Sequence, residues 1–292
     1  MNYYSAYGLS IKSEIPIPEF RAIDAGHDIQ IRLENVEYQS RLAISAQPYW
    51  RINRQEAVLS FENMGTFHII NGQEIAVIPD SSVDDQVIRQ FIIGTMLAIL
   101  LYQRGYLVLH ASSVLVGDAA IAFLGIPGSG KSSIAAALNK LGYDVITDDV
   151  AVIDTGKNPP TIFSGHHRIR LGPEIAQVLG YRQADENLFE DSSDKYSIPI
   201  SNILPESPVP LFQLYTLSEG QETVIQRIPI QSAVIELVLQ SIPTRWNLPE
   251  DKQHFSQCVE LVKRVPLFSL QRSSKVDEIP ETAKLIVNNY FG

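Results

Sequence analysis

Gly125, Gly130, Lys131 and Ser132 stand in the stretch FLGIPGSGKSSIAAAL, residues 123–138, at the spacing G-x-x-x-x-G-K-S. Glycines so placed let successive backbone N–H groups turn inward on an anion. A lysine at this position reaches the outer phosphates of a nucleotide, and a following serine hydroxyl can ligate Mg2+. A helix opening at Lys131 adds the positive end of its dipole. Gly125, Pro127, Gly128, Ser129, Gly130, Lys131, Ser132 and Ser133 are therefore candidate phosphate-binding residues. The same eight-residue pattern also arises by chance as an ordinary turn. Here it follows the apolar run AIAFLG and opens the helical run KSSIAAALNKLG, which is the context that a phosphate site requires. A phosphate held there can be cut by water, passed to a hydroxyl, or only sensed.

Asp148 and Asp149 close the run YDVITDD. One carboxylate at the end of a strand suffices to hold Mg2+ directly or through water, so a second has another task. Neighbours on an extended strand point to opposite faces. The pair then divides into a metal ligand and a general base that faces an acceptor hydroxyl. The plainer alternative is a solvated acidic turn. His110 ends YLVLH, and a histidine at a strand end is more often packed and hydrogen-bonded than catalytic.

The elements that must position these groups can be read from periodicity. Strands are predicted over 106–110, 112–116 and 120–124, with a turn at Gly117-Asp118, and a helix over 131–141. Residues 1–80 are β-rich. DIQIRLENV alternates strictly, and AVLSFENMGTFHIINGQEIAVIP reads as three short strands turned near Asn63-Met64-Gly65 and at Asn71-Gly72. SSVDDQVIRQFIIGTMLAILLYQRG then reads as a long buried helix capped by Ser81 or Ser82. A domain boundary is placed within or just before it, giving domains 1–80 and 81–292. Residues 155–210 are irregular, as active-site loops often are. VPLFQLYTLSEGQETVIQRIPI reads as a strand pair, and QSAVIELVLQSI, PEDKQHFSQCVELVKR and IPETAKLIVNNYF read as helices.

The 292 residues are 45% apolar, ample for a core, and the net charge of −10 argues against a nucleic-acid partner. Cys258 is the one cysteine, so no internal disulfide exists. The N-terminus has no basic segment followed by an apolar run, and the apolar stretch 91–101 is about half the length a membrane span needs. The expectation is a soluble cytoplasmic protein with no membrane association.

Three motifs recur in order over residues 109–149: LHASSV, GIPGSGKSS and LGYDVITDD. In these the chain resembles the HPr kinase/phosphorylase family, well over 105–155 and loosely to about 270. YSAYGLSIKSEIPIPE, RIRLGPEIAQVLG and DKYSIPI are similar to a narrower group, the HPr-kinase-like proteins of peptide biosynthetic clusters, which include lasso-peptide tailoring kinases. The resemblance implies an α/β fold: an HPr-kinase-type P-loop domain with a mixed sheet, preceded by a small β-rich N-terminal domain. It implies ATP and Mg2+, and transfer of a phosphoryl group to a Ser or Thr hydroxyl of a peptide or protein. Asp149 matches the family's general base, Asp148 assists with metal or orientation, and Ser132 binds metal. His110 matches the active-site histidine, which with Lys131 stabilises the phosphoryl group in transfer.

The family's Glu-Ile-Arg-Gly segment, whose Glu helps to bind metal, is met here by RIRLG, with Arg168 in place of the acid and Glu174 nearby. Its distal catalytic arginine has three candidate counterparts, Arg170, Arg245 and Arg272. Phosphorylase activity is therefore not implied, and homo-oligomerisation is left open. A kinase of a small-molecule hydroxyl, or a nucleotide-dependent switch without transfer activity, would carry the same loop. His166-His167 could pair on a metal but have no evident third ligand; they read as a polar loop that meets phosphate or substrate, or as a plain solvated loop, and Lys195 reads as a loop cation that reaches a phosphate or is solvated. Trp50, Trp246 and Tyr3-Tyr4 read as core or interface, and Cys258 as buried and inert.

Overall fold

The computed structural model describes residues 1–42, 44, 47–166, 168–181, 189–190, 195–200, 205–248 and 251–291. The chain divides into two compact units, Met1–Val108 and Leu109–Gly292.

The first unit is built on strands β1 (Asn2–Ala6), β2 (Leu9–Ser13), β3 (Arg21–Ala22), β4 (Ile29–Leu33), β5 (Tyr49–Ile52), β6 (Glu56–Phe61), β7 (Gly65–Ile70) and β8 (Glu74–Pro79). They form one sheet in the order β3-β1-β2-β4-β8-β7-β6-β5. The meander β6-β7-β8 is antiparallel, as its alternation predicts. Its second turn is Asn71-Gly72, both left-handed at φ +52° and +64°, which is the backbone a tight hairpin needs. These three strands are buried on both faces. One face takes Leu42 onto Val58 and Ile78, below the short helix α1 (Val36–Ser40). On the other, Phe91 packs edge-on against Phe61 and tilted against Phe67.

Phe91 ends helix α2 (Asp85–Phe91), which runs through a π-helical turn at Ile92–Met96 into α3 (Leu97–Gln103). The cap is Asp84, which accepts from Gln86 N at 2.6 Å. The expected Ser82 is instead held by Asp80 in a local turn. Together Asp85–Gln103 make a helix long and apolar enough to cross a membrane, at mean hydropathy 1.3, and 56% of that stretch is buried within the protein. Its end clasps the hairpin turn: Gly72 N donates to Gln103 Oε1 and Arg104 Nη1 donates to Gly72 O, both at 2.9 Å. The Arg54 guanidinium lies 4.4 Å from the centre of the Tyr102 ring. These contacts tie the helix to the first sheet. The division of the chain therefore falls after the helix, not at residue 80, where the sequence pattern changes.

Strand β9 (Leu107–Leu109) carries the chain onward. The second unit contains β10 (Ala111–Val116), β11 (Ala119–Leu124), α4 (Lys131–Lys140), β12 (Asp144–Thr147), β13 (Ala151–Asp154), β14 (Thr161–Ile162), β15 (Arg168–Leu171), α5 (Pro173–Val178), β16 (Phe189–Glu190) and β17 (Tyr196–Pro199). Then follow β18 (Val209–Gly220), β19 (Val224–Arg227), α6 (Ile230–Leu239), α7 (Ile242–Arg245), α8 (Lys252–Arg264), β20 (Leu267–Ser273), a 3-10 turn at Val276–Glu278 and α9 (Ile279–Phe291). Its main sheet is mixed, running β12-β10-β11-β18-β14-β13. β10 is antiparallel to β11 and β12, and β11 is parallel to β18. The expected pair β18 and β19 is separated by β20, a strand that periodicity did not single out. β20 lies parallel to β18 and antiparallel to β19. Phe123, Tyr215 and Phe268, from β11, β18 and β20, stack in turn with centroids 5.7 and 5.5 Å apart. Ile134, Ala135 and Leu138 of α4 and Ile279, Ala283 and Ile286 of α9 share that core. The irregular stretch 155–210 contains a small second sheet, β15-β17-β16.

Candidate active site

The site lies at the junction of β11 and α4. β11 ends at Leu124, the loop runs from Gly125 to Gly130, and α4 begins at Lys131, as the spacing predicts. Gly125, Gly128 and Gly130 all have positive φ, +143°, +87° and +96°. Ile126, Pro127 and Gly128 form an exposed tip, whereas Ser129 and Lys131 are buried. Lys131 Nζ donates to Gly125 O at 2.8 Å and Ile126 O at 3.1 Å. Burial brings this ammonium down to about 8, against the pull of the two carboxylates Asp149 and Asp148. Ser129 Oγ is buried and has no partner among the described atoms. Ser133 is the third residue of α4, half-buried.

Asp148 is fully buried and saturated with donors. Its Oδ1 accepts from Ser112 Oγ at 2.5 Å and from Ser132 Oγ at 2.9 Å, and its Oδ2 accepts from Arg170 N at 3.1 Å. Burial, and then the like charge of Asp149, raise its carboxyl to about 6, while the three donors pull the other way. Ser112 was not singled out from the sequence. No local signal marks it: it is the second residue of β10, and its partner lies 36 residues on.

The two aspartates do not sit on a strand. β12 ends at Thr147, and Asp148-Asp149 form a bend beyond it. Asp149 is left-handed at φ +69°, and Val150 N donates to Asp148 O across it at 2.9 Å. This is the rare, strained form of the three-residue turn. Thr147 Oγ1 closes it from outside by donating to Val150 O at 2.7 Å. The expected division of the pair between opposite faces of a strand is thus replaced by a turn, which buries Asp148 and leaves Asp149 partly exposed.

Asp149 stands between a guanidinium and an imidazole. Arg170 Nη1 is 3.6 Å from its Oδ2, and His110 Nδ1 is 3.9 Å from its Oδ1. His110 Nδ1 also lies 3.0 Å from Asp149 O. A carbonyl can only accept, so Nδ1 carries the proton and Nε2 presents a lone pair. Burial, and then Lys131, hold this imidazole down to about 4, so it is neutral at pH 7. Arg170 thus touches both carboxylates, one through its backbone and one through its side chain.

The remaining candidates separate. Arg245, in α7, acts on Lys131 and His110 through its charge, and Lys195 acts on Lys131 in the same way. Arg272 lies under the loop, where Nε and Nη2 donate to Ser129 O. Arg168 holds Ser197, through Nε to Oγ and Nη2 to the carbonyl, both at 2.6 Å. Glu174 is exposed in the first turn of α5. His166 is buried, and His167 lies outside the described residues. Cys258 is fully buried, with its thiol pushed up to about 12. Tyr4 is core, accepting from Ile17 N at 2.9 Å, whereas Trp50 is half-exposed on β5.

Among the described residues no three His, Cys, Asp or Glu side chains gather as a metal cluster. Mg2+ on a nucleotide needs none, because it takes one or two protein oxygens and fills its octahedron with phosphate and water. The touching oxygens of Asp148 and Ser132 fit such an ion.

No family model matches the chain, and no curated protein matches it. Among solved structures, the Hpr(Ser) kinase/phosphatase from Coxiella burnetii is similar over 63% of this chain and 95% of its own, at 10% identity and a TM-score of 0.33. That likeness is distant, and the chemistry rests on the residues described above.

Proposed function

We propose that the chain is an ATP-dependent phosphotransferase that moves the γ-phosphoryl group to a Ser or Thr hydroxyl of a peptide or protein. The observation that carries this reading is the carboxylate pair beside the glycine loop. Asp148 is buried against the Ser132 hydroxyl, and Asp149 is turned outward by a strained backbone. A site that only bound nucleotide would need the first carboxylate and not the second.

In this reading residues 125–133 bind the phosphates through the start of α4 and the backbone N–H groups that face them; Pro127 has none, and Ser129 N donates to Ile126 O. Lys131, charged below about pH 8, exchanges its carbonyl partners Gly125 and Ile126 for phosphate oxygens. Ser132 and Asp148 would hold Mg2+, which supplies neutralisation of charge on the β- and γ-oxygens when bound. Asp149 accepts the acceptor hydroxyl's proton on a carboxylate oxygen, with Arg170 orienting it. His110, neutral and bound to the Asp149 carbonyl, holds that turn in place; it offers no positive charge to the phosphoryl group. The site works by positioning and electrostatics.

The test incubates the protein with γ-labelled ATP, Mg2+ and a set of Ser- and Thr-containing peptides. Label should pass to a peptide and be lost in Asp149→Asn. Hydrolysis to free phosphate as the sole reaction, unchanged in Asp149→Asn, overturns the proposal. Label found only on an added small-molecule alcohol overturns the peptide acceptor.

A further inference from the structure

Arg272 comes from β20, 143 residues from the loop it touches. Its side chain is buried, the residue being 6% exposed. Nε and Nη2 form a fork on Ser129 O, at 3.2 and 2.9 Å, and Nη1 donates to Ser273 O at 2.8 Å. A Cβ placed on Gly130 would come within 2.5 Å of Nη2 and 3.0 Å of both Cζ and Nε. The guanidinium therefore lies flush against the Gly130 backbone. Gly130 lacks a side chain for two reasons: its φ of +96°, and the arginine that occupies the space.

The Ser129 carbonyl and the Gly130 N–H belong to one planar peptide, in which they point in opposite directions. Drawing the carbonyl down onto Arg272 turns the N–H up, away from the arginine and away from the core. A phosphate loop needs this polarity at the peptides that face the anion, because a carbonyl turned inward there would repel it. Lys131 likewise holds Gly125 O and Ile126 O, but the peptide after Ile126 ends in Pro127 and has no N–H to offer, and the ammonium is itself the group offered to phosphate. Arg272 is committed to carbonyls on the far side.

From this we infer that Arg272 is a positioning residue, which fixes the Ser129–Gly130 peptide in its anion-facing orientation and does not itself touch the acceptor or the transferred group. The inference rests on the phosphate-binding reading of the loop. It sets Arg272 apart from Arg170, which lies on the Asp149 side. A lysine in its place could keep the charge but not the planar fork.

The test compares the parent with Arg272→Met, which keeps the apolar stem, and Arg272→Lys, which keeps the charge. MgADP binding is measured by calorimetry, and amide hydrogen exchange is followed over residues 124–133 without ligand. In the Met variant we expect MgADP to bind tenfold or more weakly and the loop amides to exchange at least tenfold faster, with the KM of the acceptor unchanged within twofold. A purely structural defect would move nucleotide and acceptor constants together. MgADP affinity within twofold of the parent in a folded Met variant overturns the inference, as does unchanged loop exchange. If the Met variant does not fold, the Lys variant is judged by the same two criteria. If the parent itself binds no MgADP, the phosphate reading fails, and the exchange measurement alone decides whether Arg272 holds the loop.

Discussion

Asp148→Asn tests how the buried carboxylate is held, because the variant should gain stability relative to the parent as pH rises while losing activity. The Asp148 carboxyl is raised from an ordinary 3.8 to about 6 by burial and then by Asp149. A carboxyl raised on folding contributes stability in full below about pH 4 and loses it as pH rises through 6, because the folded state then holds a charge that the unfolded chain carries more cheaply. A shift of about two units at 1.36 kcal/mol each is a loss of about 3 kcal/mol across that window. Asparagine has no charge to bury. It does place an amide against Arg170 N, where Oδ2 accepted, at a cost that is the same at every pH. The difference between variant and parent therefore carries the information, rather than either curve alone. His110 bends both curves in the opposite sense: its pKa is lowered to about 4, so its stability is present above 6.5 and lost as pH falls through 4. Asp148 is not among the groups that shift it, and it cancels in the difference. The assay is urea unfolding from pH 4 to 7, below the range in which Lys131, which Asp148 also shifts, loses its proton; a Trp50→Phe background leaves Trp246 alone to report on the second unit. The variant should gain about 2 to 3 kcal/mol on the parent over this range, most of the full window. A difference that stays flat within about 0.5 kcal/mol would show that Asp148 is not held as described.

Four further outcomes are expected. Nucleotide affinity should fall as pH rises above about 8, where Lys131 loses its proton, and the step should be absent in Lys131→Arg, as read by calorimetry. Gly130→Ala should lower stability by about 1 to 3 kcal/mol and abolish MgADP binding, since it strains a φ of +96° and drives a methyl into Arg272; a parent-like melting curve would contradict this. Asp149→Asn and Asp149→Ala should both lack transfer activity, but the Ala variant should be about 1 kcal/mol the less stable, because asparagine tolerates left-handed backbone and alanine does not. Cys258 should resist a disulfide reagent in the folded protein and react on unfolding in urea, its thiol being buried and pushed up to about 12.

What could be read from the sequence was local. The strand, glycine loop and helix of residues 119–140 are specified by neighbours within a few positions, and so is the Asn71-Gly72 hairpin. The donors that saturate Asp148 are 36, 16 and 22 residues away, and periodicity says nothing of them. Ser112 was missed for that reason. β20 was missed because LFSLQRS alternates poorly, and its place between β18 and β19 is decided by pairing on both edges. Composition changes at residue 80, whereas the helix that follows is held by Gly72, Arg54 and Phe67 of the first unit, contacts that composition does not reveal. Arg272 could be named as a candidate but not placed, since its partner is a carbonyl, and carbonyls carry no sequence signal.

The Asp149 turn joins these points. An aspartate at φ +69° costs about 1 kcal/mol or more relative to relaxed backbone. Four contacts oppose its relaxation: Val150 N on Asp148 O, Thr147 Oγ1 on Val150 O, His110 on Asp149 O, and Arg170 on the Asp149 carboxylate. Had the strand simply continued, Asp149 would still face away from Asp148, but without the bend that leaves it between His110 and Arg170. The bend lets one carboxylate stay dry against Ser132 while its neighbour reaches solvent and whatever hydroxyl enters there. Two adjacent carboxylates in one environment would share a single compromise of charge and burial. Placed in two environments, one is raised by burial and holds the Ser132 hydroxyl, and the other lies beside a guanidinium and a neutral imidazole, and that separation is what a transfer site needs from an Asp-Asp pair.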